Sequence, residues 1–288
     1  MTATTIHVIG ASGRTGAALC RSLQADGIPF VPVIRDPAKW SAIDPGHPPT
    51  IANLTDARAL RHALPDATRI VCCAHARHAG AVIAAAPAGA RFVFLGSTRK
   101  VTRWPDTHAN GVLAGETAFL SSGRPGVMLH PTMIYGATGE DNVQRLAALL
   151  HRLPLVPLPR DAGLVQPIHQ DDVTRAIRAA LEHDWDAPTV LVIAGPAPIA
   201  YADFVRAVAQ AAGLRAPRIV PVPRRLLTAL AAVAGVVGRL PRVRTTEIRR
   251  LLEDKAFDIT AMRSVLGIEP VPLAEGLART FDPPHNRA

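Results

Sequence analysis

The sequence predicts an α/β protein: a doubly wound, mostly parallel sheet with helices on both faces, followed by a smaller, mostly helical C-terminal part. Three observations predict it. Short apolar runs alternate with helical stretches through the first two-thirds of the chain. Some of those runs, such as Phe92-Val93-Phe94-Leu95, are apolar at every position, as strands buried on both faces are. A glycine-rich turn joins the first such run to the first helical stretch.

The elements follow in order. Residues 6–9 read as the first strand, 15–25 as a helix and 30–34 as the second strand. Residues 56–64 are helical and 69–74 form a strand. A helix over 78–90 should end early at Pro87, which cannot donate to the helical ladder. A strand at 91–95, a helix from 107 to 122 and a strand at 127–130 come next. A loop over 131–139, a helix over 142–153 and a proline-rich stretch (Pro154, Pro157, Pro159) follow. Asp171 and Asp172 suit the positive end of a helix over 171–183. A strand at 189–194 precedes a helix over 201–212 that Gly213 closes. Beyond Pro217 the chain is richer in Arg and Pro. It holds an apolar run at 226–237 and short helices over 245–252 and 260–266. The expected division is a dinucleotide-binding sheet domain over 1–165 and a C-terminal part over 166–288. That part returns a late strand and helix to the sheet and adds a small substrate-side subdomain.

Hydrophobic residues make up 48% of the chain and charged residues 19%, enough to bury a full core, so a folded chain rather than a disordered one is the expectation. The net charge of +9 raises the question of a nucleic-acid partner. No reader motif accompanies the charge, and Lys39, Lys100 and Lys255 are the only lysines, so the excess is arginine and no nucleic-acid partner is expected. Cys20, Cys72 and Cys73 form no disulfide framework, which fits a reducing cytoplasm. The N-terminus leads directly into the first strand without a basic leader, and no run approaches the ~20 apolar residues that span a bilayer. Cytoplasmic localisation is therefore the expectation. Arg224, Arg225, Arg239, Arg242, Arg244, Arg249 and Arg250 surround the apolar run at 226–237. That pattern suits either an interfacial helix in peripheral contact with an acidic membrane or a buried helix of the substrate-side subdomain.

Gly10-Ala11-Ser12-Gly13-Arg14-Thr15-Gly16 spells G-x-x-G-x-x-G in the strand–turn–helix setting of a Rossmann-type site. Glycine suits this turn because backbone N–H groups must approach a pyrophosphate without a Cβ in the way. The helix N-terminus then offers the positive end of its dipole. Gly10, Ser12, Gly13, Arg14, Thr15 and Gly16 are accordingly dinucleotide-binding candidates. NAD-specific sites place a carboxylate at the end of the second strand. Here Ile34-Arg35-Asp36 puts a cation first, and Arg35 could pair with a 2′-phosphate, helped by Arg14. NADP is the expected cofactor, with Asp36 keeping NAD open. Cys72, Cys73, His75 and His78 hold ligand types, but adjacent strand residues face opposite ways and the spacing fits no zinc pattern, so no metal is expected.

These residues resemble the short-chain dehydrogenase/reductase superfamily, in its extended and atypical branches: nucleotide-sugar epimerases, NmrA-like proteins and the dehydrogenase-like accessory subunit of respiratory complex I. Asn53-Leu54-Thr55-Asp56 is similar to the family's D-L-x-D, with Asn first. Cys73-Ala74-His75 ends strand four, His130-Pro131-Thr132-Met133-Ile134-Tyr135-Gly136 resembles R-P-x-x-I-Y-G, and Ile168-His169-Gln170-Asp171-Asp172-Val173 resembles V-H-x-D-D-V. The resemblance implies that Asn53 and Leu54 lie near the adenine and that Ala74, His75 and Pro131 line the cofactor.

Catalytic members carry Y-x-x-x-K on the helix after strand five, often with a Glu four residues beyond the Lys. Glu116 fits that Glu, which puts Val112 at the Lys position and His108 at the Tyr position. Ser97 and Thr98 lie where the family's catalytic Ser/Thr does. Two readings follow. Either His108 serves as general acid, with Ser97 or Thr98 polarising a carbonyl, in an NADP-dependent oxidoreductase or epimerase-type enzyme. Or proton transfer is lost, leaving a non-catalytic dinucleotide-binding sensor or accessory protein. A small-molecule substrate is expected in the first case.

Overall fold

The computed structural model describes residues 5–44, 46–137, 142–153, 155–223, 226 and 249–282. Its centre is a parallel sheet of β1 (Ile6–Ile9), β2 (Phe30–Ile34), β3 (Thr50–Ile51), β4 (Arg69–Cys72), β5 (Arg91–Leu95), β6 (Gly126–Pro131) and β11 (Pro188–Ile193). The strand order is β11-β6-β5-β4-β1-β2-β3. It reverses direction at β1, and that switch is where open α/β sheets bind ligands, beyond the carboxyl ends of the strands.

Alternate residues of the strands feed two different cores. On β5, Phe92 and Phe94 join one cluster with Leu60, Val82, Val112 and Phe119, while Val93 and Leu95 join the other with Leu19, Leu23 and Ile177. β4 divides likewise, with Cys72 on the first of these faces and Cys73 packed against the second. The period of two in a strand buried on both sides produces this split. It also keeps the adjacent thiols apart. Among the described residues no group of His, Cys, Asp and Glu could hold a metal ion.

α1 (Arg14–Ala25) and α7 (Gln170–Glu182) cover one face of the sheet; α3 (Ala57–Ala63), α4 (Ala79–Ala85) and α5 (Thr107–Ser121) cover the other. As expected, Pro87 follows the end of α4 closely, and the turn Ala76–His78 precedes that helix as a 3-10 segment. The late strand β11 pairs in parallel with β6 over six residues.

Two expectations need correction. The loop over 131–139 contains a short strand, β7 (Ile134–Tyr135), which pairs with β10 (Ile168–His169). The proline-rich stretch is also a strand, β8 (Leu155–Pro159), paired with β13 (Arg218–Val222). Prolines are tolerated there because each strand of a two-stranded sheet has an edge that needs no N–H donor. These pieces join α6 (Asn142–Arg152), α8 (Tyr201–Ala211) and the helix Leu273–Phe281 around a third core of Tyr135, Val143, Leu158, Phe204, Val208 and Leu277. The helix Leu273–Phe281 is absent from the sequence reading. The expected helix over 260–266 is observed.

Arg224, Arg225, Arg239, Arg242 and Arg244, the run at 226–237 beyond Leu226, and residues 245–248 lie outside the described residues. Within the described residues, no helix is long and apolar enough to cross a membrane.

Candidate functional site

The glycine turn follows β1 at the switch in strand order. Gly10 has φ +78°, and its N–H donates to the Val33 carbonyl at 2.9 Å. A Cβ at Gly10 would stand 3.0 Å from the Ala74 backbone nitrogen, and one at Gly16 only 2.2 Å from the Gly10 carbonyl oxygen. Close approach of three backbone segments therefore requires glycine at both positions. Gly13 caps α1 and, having no side chain, places no side-chain cap over the first turn of the helix. Ser12, Gly13, Arg14 and Thr15 line this turn on its accessible side. An uncapped helix start, beside a cradle too tight for a Cβ, fits the pyrophosphate of a dinucleotide.

Arg35 is exposed at the end of β2. Asp36, beside it, accepts from the Ala38 and Lys39 amides at 3.1 and 3.5 Å and so caps the short helix Pro37–Ser41. Its carboxylate thus has a structural task besides any contact with a ribose. Asn53 accepts from the amide and hydroxyl of Thr55 and holds the turn after β3, with Leu54 half-buried beside it.

Beyond β4, Ala74 touches the glycine turn and His75 points toward α5. His75 Nε2 lies 3.1 Å from His108 Nδ1, with the rings edge to face. The Arg77 amide donates to His75 Nδ1 at 3.1 Å. That bond fixes the tautomers of the neutral pair. His75 must carry its proton on Nε2 and donate it to His108 Nδ1, which leaves His108 with its proton on Nε2. Burial, then the neighbouring His108, Arg77 and His78, pull the His75 pKa down to about 4. Burial and the cations Arg99, Arg77 and Arg250 lower that of His108. Both imidazoles are therefore neutral near pH 7. Small residues on α5 admit this contact: a Cβ at Gly111 would meet the His75 ring at 2.9 Å, and one at Gly115 the Ala76 carbonyl at 1.9 Å.

Beyond β5, the Ser97 hydroxyl oxygen accepts from the Arg99 amide at 3.2 Å and caps the 3-10 turn Thr98–Val101. Thr98 donates its hydroxyl proton to the Pro131 carbonyl at 3.2 Å. Of the two hydroxyls, Ser97 is the better placed to donate to a substrate oxygen. Pro131 itself is buried at the end of β6.

Val112 is buried in the core it shares with Leu60, Val82 and Phe119, so the position of the Y-x-x-x-K lysine is apolar packing. An ammonium nevertheless reaches α5. Lys100 comes in from the 3-10 turn and pairs with Glu116, one helical turn beyond Val112. His130 Nε2 shares the same carboxylate oxygen at 2.6 Å, while its Nδ1 accepts from the Ser97 amide at 3.0 Å. Burial draws the His130 pKa down to about 4, with Lys100 adding to the effect and Glu116 opposing it. The sequence reading identified Glu116 but did not connect it to Lys100 or His130. Their separations of 16 and 14 positions in the chain correspond to no local periodicity.

Tyr135 is buried in the third core against His169, and burial pushes its hydroxyl pKa far up. It is not a proton donor at this site. Asp172, fully buried, holds Arg175 and the Val271 amide, so the V-H-x-D-D-V-like segment ties the C-terminal helices to the sheet.

Residues 10–113 match a family model described as NAD(P)H-binding. The sequence has no significant match among curated proteins. Solved structures share the whole fold. An NADPH-dependent quinone oxidoreductase from Escherichia coli, complexed with NADPH, is 20% identical, with 96% of this chain and 100% of that one covered and a TM-score of 0.74. A Citrobacter sp. triphenylmethane reductase is 16% identical over 96% and 99%, with a TM-score of 0.76. A nucleoside-diphosphate-sugar epimerase from Pseudomonas aeruginosa is 19% identical over 97% and 96%, with a TM-score of 0.71. The family model places an NAD(P)H-binding domain at residues 10–113 of this chain, in a fold it shares with a quinone oxidoreductase and a nucleoside-diphosphate-sugar epimerase.

Proposed function

We propose that the chain is an NADP(H)-dependent oxidoreductase or epimerase-type enzyme of the atypical short-chain branch, acting on a small molecule with His108 in place of Tyr-x-x-x-Lys. The observation that carries this reading is the ordered pair His75–His108, set beside the glycine turn with a defined donor at its outer end. When bound, the nicotinamide gives or takes a hydride. The chain's own residues then have three tasks. The glycine turn and the start of α1 hold the pyrophosphate, and Arg35 reads the 2′-phosphate. His108 donates from Nε2 to the substrate oxygen, as a neutral imidazole that stabilises developing charge. Ser97 donates a second hydrogen bond to the same oxygen.

Calorimetric titration with NADPH and, separately, NADH tests the cofactor assignment. Arg35→Ala should shrink the affinity gap between the two, and an unchanged gap removes Arg35 from phosphate recognition. His108→Phe should lower turnover about 100-fold or more, the scale of losing one electrostatic donor, while NADPH affinity stays within about twofold. Wild-type turnover in that variant removes His108 from the mechanism.

The buried Val112 and the committed Thr98 hydroxyl favour a second reading, a dinucleotide-binding sensor or accessory protein without turnover. NADPH binding without any reductase or epimerase activity supports it.

A further inference from the structure

Among the described residues, cations gather around the His75–His108 pair in excess of the carboxylates beside them. Arg99 and Arg250 both pair with one oxygen of Asp106, Oδ2. The other oxygen, Oδ1, caps α5 by accepting from the Ala109 amide at 2.9 Å. Asp106 therefore has nothing further to offer either guanidinium. Glu253 is buried and used as well: Oε1 accepts from the Thr102 hydroxyl and the Arg103 amide, each at 2.6 Å. Lys255 adds a third cation and donates to the Arg250 carbonyl at 3.1 Å. Arg77 adds a fourth, its side chain lying over Gly111 of α5. Among the described residues, four cations thus face two carboxylates, with both histidines neutral.

One atom sharpens the point. Arg99 Nε is buried and has no hydrogen-bond partner among the described residues. A buried, unpaired guanidinium donor is costly unless something accepts from it. Arg77 and Arg99 also stand where a ligand would be expected, just beyond the carboxyl ends of β4 and β5.

We propose that Arg99 and Arg250, together with the His75–His108 pair, form an oxyanion subsite, so that the substrate of this site carries a carboxylate or phosphoryl group. The inference rests on the reading of this site as a substrate site. The anion offsets the excess charge, accepts from Arg99 and sets the rest of the substrate against His108. The same electrostatics predict a reciprocal effect: cations depress the His108 pKa, and an anion among them raises it.

The experiment is a titration of the full chain with inorganic phosphate, followed by the ring resonances of His75 and His108 in NMR, in the absence and in the presence of saturating NADPH. The expected result is a saturable shift of both rings, an upward move in the His108 pKa, and phosphate affinity that NADPH leaves intact. Arg99→Gln and Arg250→Gln should each weaken phosphate about tenfold or more, the effect of losing one charge-assisted hydrogen bond. Arg99→Lys should recover part of that loss if the variant charge is what matters. If phosphate shifts neither ring in the wild type, the subsite does not exist. If NADPH displaces phosphate, the anion site belongs to the dinucleotide and the substrate assignment falls. If NADPH itself fails to bind while phosphate shifts both rings, the cofactor reading fails and the oxyanion subsite stands.

Discussion

Replacing Gly16 by alanine tests the dinucleotide cradle most directly. The new Cβ would stand 2.2 Å from the Gly10 carbonyl oxygen and 2.9 Å from the Ala11 Cα. Both neighbours are backbone, so no side chain can swing aside. Ordinary contact begins near 3.4 Å, so the turn must open by more than an ångström. Overpacking of that kind costs about 1–3 kcal/mol of stability, which a domain with ~5–15 kcal/mol survives. Moving the turn displaces the amides that would meet the pyrophosphate. Losing one charge-assisted hydrogen bond costs about 1.5–3 kcal/mol, or roughly a tenfold to hundredfold loss of NADPH affinity. Gly89→Ala is the control, since nothing lies within 4 Å of its Cβ. Urea unfolding first establishes that each variant is folded, and calorimetric titration with NADPH then compares their affinities. Gly16→Ala binding NADPH within twofold of wild type would refute the cradle as the dinucleotide site.

Two other predictions concern the ionisable groups behind the site. His130 is held neutral by burial, so its contribution to stability is complete above the unfolded value of about 6.5 and is lost as pH falls from there through about 4. The stability advantage of wild type over His130→Asn should narrow across that window in urea unfolding, and parallel pH profiles would contradict it. Glu253→Gln keeps an acceptor for Thr102 and Arg103 but removes the charge beside Arg99 and Lys255. It should cost about 1–3 kcal/mol, and a neutral outcome in the same assay would show that the described segment 249–255 does not depend on that carboxylate.

The legible parts of the molecule were those with a local physical signature. Gly10, Gly13 and Gly16 announce the first turn because a tight backbone approach leaves no other residue type. The apolar runs at 91–95 and 127–130 announce buried parallel strands for a similarly local reason. β7 and β8 escaped notice because two-residue pairing at Ile134–Tyr135 has no period to read, and because Pro157 and Pro159 disguise an edge strand. At the site, alignment by motif placed His108 on α5, but its partner His75 comes from beyond β4, 33 positions earlier. Only the sheet order makes them neighbours. Asp36 shows the opposite case, a residue whose meaning at strand two was ambiguous in sequence and whose helix-capping bonds give it a structural task.

In the family that the motifs resemble, the lysine of Y-x-x-x-K does two things at one place: it supplies a positive charge and it holds a ribose. In this chain those tasks need not stay together. Val112 turns the lysine position into core, where it packs with Phe92, Phe94 and Phe119. The charge returns one turn further along α5, carried by Lys100 and anchored on Glu116. From there it acts at short range on His130, which shares the Glu116 oxygen and holds the Ser97 amide with its other nitrogen. Lys100 thus has a path to Ser97 through two hydrogen-bonded groups, and none to the lysine's usual position. In the proposed mechanism, proton donation comes from a different element, the neutral His75–His108 pair, whose free donor is His108 Nε2.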